Sequence, residues 1–137
     1  MIGIVIVAHG RLADEFRAAM EHVVGPQPAV FTVNIQPEDT CTSRAATVQA
    51  AIAAVDQGDG VVLVTDMYGS TPSNLAIQAC SRSDRFVLYG ANLPMLVKLA
   101  KARHLPLREA VSIALAGGRK YIDAIGGGDR GVRSIAL

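Results

Sequence analysis

Ile2-Gly3-Ile4-Val5-Ile6-Val7-Ala8-His9-Gly10 is the stretch that decides the fold. An uncharged run rich in β-branched residues is followed by one titratable ring. Such a run reads as a strand buried on both faces, the signature of a parallel sheet with helices on each side. A polar ring at its last position stands where open α/β sheets place their ligands. A second run, Val61-Val62-Leu63-Val64-Thr65, ends the same way in Asp66.

Outward from these two runs, strand and helix patterns alternate along the chain. Leu12, Phe16, Met20 and Val23 recur at helical spacing until Gly25-Pro26 stops them. Ala29 to Val33 reads as a second strand. Thr42 or Ser43 is the expected cap of a helix with Ala45, Val48, Ile52 and Val55 on its apolar face. After the Val61–Thr65 strand, Thr71-Pro72 reads as the N-cap and first position of another helix. Phe86 to Tyr89 reads as a fourth strand, Pro94 opens a further helix, and a last one is expected from about Leu107 to Ile122. Regular alternation predicts an α/β fold, a single doubly wound and mainly parallel sheet of about four strands. The expected order is flavodoxin-like, 2-1-3-4, with helices on both faces. His9 and Asp66 then leave neighbouring strands at one edge, with strands spaced roughly 5 Å apart. Residues 1–125 are expected to form the domain. Residues 126–137 form a Gly-rich tail, in which Val132 to Leu137 is a candidate extra edge strand or an arm onto a partner.

Composition narrows the function. The 137 residues fit one domain. Thirteen Lys and Arg against twelve Asp and Glu leave a net charge of +1, and aromatics make up 4 % with no Trp. Neither a basic footprint nor a stacking platform for nucleic acid is present. No apolar stretch approaches the roughly 20 residues that span a bilayer, so no direct membrane insertion is expected. The short uncharged start does not read as a signal peptide. Cys41 and Cys80 form neither a C-x-x-C pair nor a ligand cluster, which suits half-buried thiols in a reduced compartment. No metal and no cofactor are expected. Gly126 to Gly131 matches G-x-G-x-x-G in letters, but it neither follows a strand nor opens a helix. His22 reads as a surface residue of the first helix, and His104 sits near a helix end before Pro106, where the dipole would favour its cation.

His9 with Asp66 is the chemical centre. Imidazole acts as a base, a ligand or a nucleophile. As a nucleophile it needs one nitrogen free and the other pinned, and a carboxylate accepting from the second N–H fixes the tautomer. Beside them, Tyr68-Gly69-Ser70-Thr71-Pro72-Ser73-Asn74 combines a turn glycine, three hydroxyls and a helix start, which together make an anion site. Thr71 also suits an ordinary cap, and His9 alone also suits a strand-end ring bonded to backbone. Gly10 and Arg11 open the first helix next to His9. A nucleophilic His facing an anion site, with no Ser or Cys nucleophile beside it, suggests phosphoryl transfer onto nitrogen.

Val7-Ala8-His9-Gly10, the Thr65–Asn74 segment and Gly90-Ala91-Asn92-Leu93-Pro94-Met95-Leu96, in that order, resemble the mannose-family EIIA component of the bacterial phosphoenolpyruvate-dependent phosphotransferase system. The resemblance covers about residues 1 to 123. It implies that His9 accepts a phosphoryl group from the phosphohistidine of HPr and passes it to an EIIB partner. It implies that Asp66 bonds the His9 ring, that Thr71 contacts phosphate, and that the protein is a cytoplasmic homodimer. The phosphate site is expected from Gly10, Gly69, Ser70 and Thr71, and partner contacts from Arg11, Tyr68 and Asn92. Ser70 departs from the second glycine common in the family, and the Gly-rich end matches no family element. A phosphoryl donor subunit of a dihydroxyacetone kinase system, a non-catalytic anion-binding signalling module and a His9–Asp66 hydrolase are the alternatives.

Overall fold

The computed structural model describes residues 1–128. Four strands form one parallel sheet in the order β2-β1-β3-β4. They are β1 (Gly3–His9), β2 (Val30–Ile35), β3 (Val61–Thr65) and β4 (Arg85–Leu88). The helices are α1 (Leu12–Val24), α2 (Cys41–Val55), α3 (Thr71–Ala79), α4 (Leu93–Ala102) and α5 (Leu107–Lys120). The expected order and α/β class are what the structure shows. The candidate edge strand at Val132 to Leu137 lies outside the described residues.

The buried run of β1 serves two cores at once, because successive side chains point to opposite faces. Ile4, Ile6 and Ala8 pack with Met20 of α1, Leu96 and Leu99 of α4 and Ala110 and Ala114 of α5. Val5 and Val7 pack with Val48 and Ile52 of α2 and Leu75 and Ala76 of α3. Each side chain buried this way contributes about 1.5–3 kcal/mol. The central strands therefore hold the sheet, and among the described residues β2 and β4 form its edges.

Helix starts differ from the sequence expectation by one to three residues. Ser70, not Thr71, is the N-cap of α3, so Thr71 and Pro72 are its first and second positions. Thr40, not Thr42 or Ser43, caps α2, and Ser43 answers from the third helical position. In both, a hydroxyl three residues into the helix bonds back to the cap, and that reciprocity selects the cap. Strand β2 runs on to Ile35, β4 ends at Leu88 rather than Tyr89, and α5 ends at Lys120.

Arg103 closes the amino end of the sheet, a role its sequence context does not announce. It is 3 % exposed. Its guanidinium donates to the Ile2 carbonyl at 2.9 Å, the Ala29 carbonyl at 2.8 Å and Gln27 Oε1 at 3.3 Å. The Ile2 N–H returns a bond to the Arg103 carbonyl at 3.0 Å. These bonds tie the starts of β1 and β2 to the end of α4. Burial pulls the Arg103 pKa below its ordinary value.

Candidate active site

At the carboxyl end of the sheet, β1 ends in His9 and β3 ends one residue before Asp66. The pairing of Val7 with Thr65 sets the two ends side by side. Asp66 Oδ2 accepts from His9 Nδ1 at 2.7 Å and from the His9 main-chain N–H at 3.1 Å. Its Oδ1 accepts from the Met67 N–H at 3.0 Å. The carboxylate is thus held at both oxygens while it holds the ring. The His9 side chain is 48 % exposed and that of Asp66 is 11 % exposed. An ionised carboxylate only accepts, so in a neutral ring bonded this way Nδ1 holds the proton and the Nε2 lone pair is free.

Gly10 turns the chain away from β1 with φ +59°, a left-handed conformation that suits glycine. Its N–H donates to the Ile35 carbonyl at 2.8 Å and its carbonyl accepts from Gln36 at 3.4 Å. Arg11 is the exposed N-cap of α1 and makes no side-chain hydrogen bond or ion pair among the described residues. On the other side, Gly69 sits at φ +86°. The N–H groups of Gly69 and Thr71 donate to no group among the described residues, nor does the Thr71 hydroxyl. Ser70 is different. Its N–H donates to Ser73 Oγ at 3.0 Å and its hydroxyl to the Met67 carbonyl at 2.6 Å. Gly10 and Ser70, both expected at the phosphate, have their N–H groups engaged inside the protein.

Tyr68 is 65 % exposed and lies against Tyr89, 53 % exposed, with ring centroids 4.8 Å apart. Met67 is exposed beside Tyr68 in the chain. Tyr89, the expected last residue of the fourth strand, instead follows β4 and stands on the same rim, a place that strand patterning does not reveal. Asn92 is the N-cap of α4: its Oδ1 accepts from the Met95 N–H at 3.0 Å, and its Nδ2 donates to the Gly118 carbonyl at 3.1 Å. Both ends of that amide are engaged within the fold. His22 and His104 are exposed and lie away from this rim in the chain, on α1 and after α4.

A half-exposed imidazole is thus held by a carboxylate, and the loop that follows that carboxylate carries N–H groups without a partner among the described residues. The family model EIIA-man, described as the PTS system fructose IIA component, matches residues 3–116. The chain belongs to the EIIA-man family. It is 29 % identical over 127 residues to the PTS system mannose-specific EIIAB component of Escherichia coli strain K12, covering 90 % of this chain but 39 % of that protein. The chain therefore spans less than half the length of that relative. It is 25 % identical over 113 residues to the PTS system sorbose-specific EIIA component of Lacticaseibacillus casei, 80 % of each chain. Its fold is similar to that of a mannose/sorbose specific IIA subunit of the phosphotransferase system from Enterococcus faecalis, with TM-score 0.82 and 23 % identity over 92 % of this chain and 96 % of that one. No helix among the described residues of this EIIA-man chain is long and apolar enough to cross a membrane.

Proposed function

We propose that this EIIA-man chain is a phosphohistidine carrier: His9 Nε2 accepts a phosphoryl group from the phosphohistidine of HPr and passes it to an EIIB partner. The observation that carries this reading is the 2.7 Å bond between His9 Nδ1 and Asp66. It leaves the outward nitrogen as the nucleophile. In the transfer, the Nε2 lone pair forms the new P–N bond while the P–N bond of the donor breaks, and the donor imidazole leaves with that electron pair. The Nδ1 proton stays on His9. The ring gains positive charge, which Asp66 offsets across the hydrogen bond. The phosphoryl oxygens face the start of α3, where Thr71 and Gly69 supply N–H groups and a hydroxyl and the helix dipole favours negative charge. Gly10 and Ser70 shape that pocket through their turns. Arg11, Met67, Tyr68 and Tyr89 form the rim that meets the partner proteins, and Asn92 fixes the neighbouring loop. The protein acts in the cytoplasm, where it meets HPr.

The test is incubation with phosphoenolpyruvate, enzyme I and HPr, followed by intact-protein mass spectrometry. One acid-labile, base-stable phosphoryl group on the wild type and none on His9→Ala is the expected result. Full labelling of His9→Ala would overturn the assignment. Tyr121, Ile122 and Ile125 are exposed after α5, and apolar surface of this kind supports a homodimer. Sedimentation at micromolar concentration checks it, and a monomer would count against it.

A further inference from the structure

Around α3, the sequence places serines at the cap and at the third helical position, and the structure engages both hydroxyls. Ser73 is fully buried and Ser70 is 9 % exposed. Ser73 Oγ accepts from the Ser70 N–H at 3.0 Å and donates to the Ser70 carbonyl at 2.9 Å. The return bond, from the Ser73 N–H to Ser70 Oγ, is long at 3.5 Å. The shortest bond of Ser70 points elsewhere, from its hydroxyl to the Met67 carbonyl at 2.6 Å. Met67 in turn donates its N–H to Asp66 Oδ1. Bonds therefore run without a gap from the His9 ring through Asp66, the Met67 main chain and Ser70 to Ser73 in α3.

We infer that Ser70 and Ser73 are positioning residues of the transfer site. Ser70 holds the Met67 carbonyl and so restrains the residue whose own N–H, one peptide earlier, holds the Asp66 carboxylate. Ser73 holds the Ser70 main chain and so fixes where that hydroxyl stands. Neither serine touches the reacting atoms. Without the tether, the Met67–Gly69 turn rests on exposed side chains and one glycine at positive φ. The carboxylate then loses one of the bonds that aim it at Nδ1. A glycine at position 70 has no hydroxyl for Met67, so the tether depends on the serine. The inference rests on the phosphoryl-transfer reading for its kinetic consequence, while its effect on the His9 ring is independent of transfer.

The experiment compares Ser70→Gly, Ser73→Ala and Ser70→Thr with wild type. Glycine is a competent cap, so Ser70→Gly removes the tether and keeps α3. Proton–nitrogen correlation spectra of the unphosphorylated His9 ring report the Nδ1–H tautomer. Single-turnover transfer from phospho-HPr reports the maximal rate and the half-saturating donor concentration. Ser70→Gly and Ser73→Ala are expected to shift the ring toward mixed tautomers and to slow the maximal rate about tenfold, as supporting partners of an oriented group do. The half-saturating concentration is expected to stay unchanged, and Ser70→Thr, which restores a hydroxyl, to recover the wild-type ring spectrum and rate. A wild-type ring spectrum in Ser70→Gly and Ser73→Ala, or a rate loss that only follows the unfolded fraction in thermal melts, would overturn the inference. Altered ring spectra in a protein that phospho-HPr never labels would uphold the positioning role and sink the transfer reading instead.

Discussion

The two ends of the sheet are built from the same strands and finished in opposite ways. At the amino end, Arg103 bonds the carbonyls that precede β1 and β2, and Gly3 lies so close to Val55 that a Cβ would stand 2.4 Å from its carbonyl oxygen. That end is closed by the bonds of a buried side chain to main-chain carbonyls and by close contact. At the carboxyl end, the His9 ring is half-exposed, and N–H groups at Gly69 and Thr71 point to no partner among the described residues. Buried polar groups left unmatched are costly, so folding drives them to pair. Exposed ones at a rim cost little and remain available to a ligand. The site is where the fold stops satisfying itself.

If that contrast holds, a change at the carboxyl end should reduce transfer and spare stability, and a change at the amino end should do the reverse. The largest effect is expected for Asp66→Asn. The amide keeps the shape, loses the charge and can donate to Nδ1, favouring the wrong tautomer. The transfer rate should fall on the order of 10²–10⁴, as for other orienting groups. Thermal melts should move little, since Asp66 lies past the end of β3. Single-turnover transfer from phospho-HPr decides it. Equal rates would mean that Asp66 does not orient His9.

At the opposite end, Arg103→Met keeps much of the apolar stem and removes the donors. The Ile2 and Ala29 carbonyls then lose their guanidinium partners, at about 1–3 kcal/mol for each buried group left unmatched. A lower denaturant midpoint with an unchanged transfer rate in the folded protein is the expected pattern. A variant that loses transfer before it loses structure would show that the two ends are coupled. Gly3→Ala probes the same end by contact. Its Cβ must displace backbone, and overpacking of this kind costs about 1–3 kcal/mol. Urea titration checks it, and wild-type stability would mean that α2 moves away from β1 without cost.

The carboxyl end was the more legible of the two in the sequence. Ile2 to Ala8 could only be a strand buried on both sides, and Val61 to Thr65 repeats the pattern, so the sheet order brought His9 and Asp66 together. Helix starts were read less well. Thr71 and Ser70 are both good caps by type, and the choice between them depends on whether Ser73 can reach back, which is a matter of loop geometry. Arg103 was not legible at all. In Lys101-Ala102-Arg103-His104 nothing sets one cation apart, and only the packing of α4 against the strand starts buries it. Tyr89 continues the apolar pattern of Phe86 to Leu88 in the sequence, so its place as the first residue of the rim emerges only where β4 ends at Leu88.

The smallest expected effect belongs to Asp14, which lies between the two ends in kind: an exposed carboxylate in the first turn of α1 with a full set of partners. Its oxygens accept from the Thr32 hydroxyl at 2.5 Å and from Asn34 Nδ2 at 2.7 Å, which ties α1 to the edge strand β2. The Thr32 bond, then the Asn34 bond, hold its pKa below the ordinary carboxylate value, and Arg11 and Arg17 add to this. A depressed carboxylate stabilises the fold above its unfolded pKa and loses that contribution as pH falls through the folded value. The Asp14 contribution is therefore complete at pH 7 and fades below about pH 4. Solvent screening keeps it under about 1 kcal/mol. Asp14→Asn should lower the denaturant midpoint slightly at pH 7, and the gap from wild type should close as the pH is taken down. A gap that stays constant across that range would assign the effect to altered packing of α1 on β2 rather than to the charge. Transfer should be unaffected, because among the described residues the Asp14 carboxylate hydrogen-bonds only to β2 and does not touch the His9–Asp66 pair.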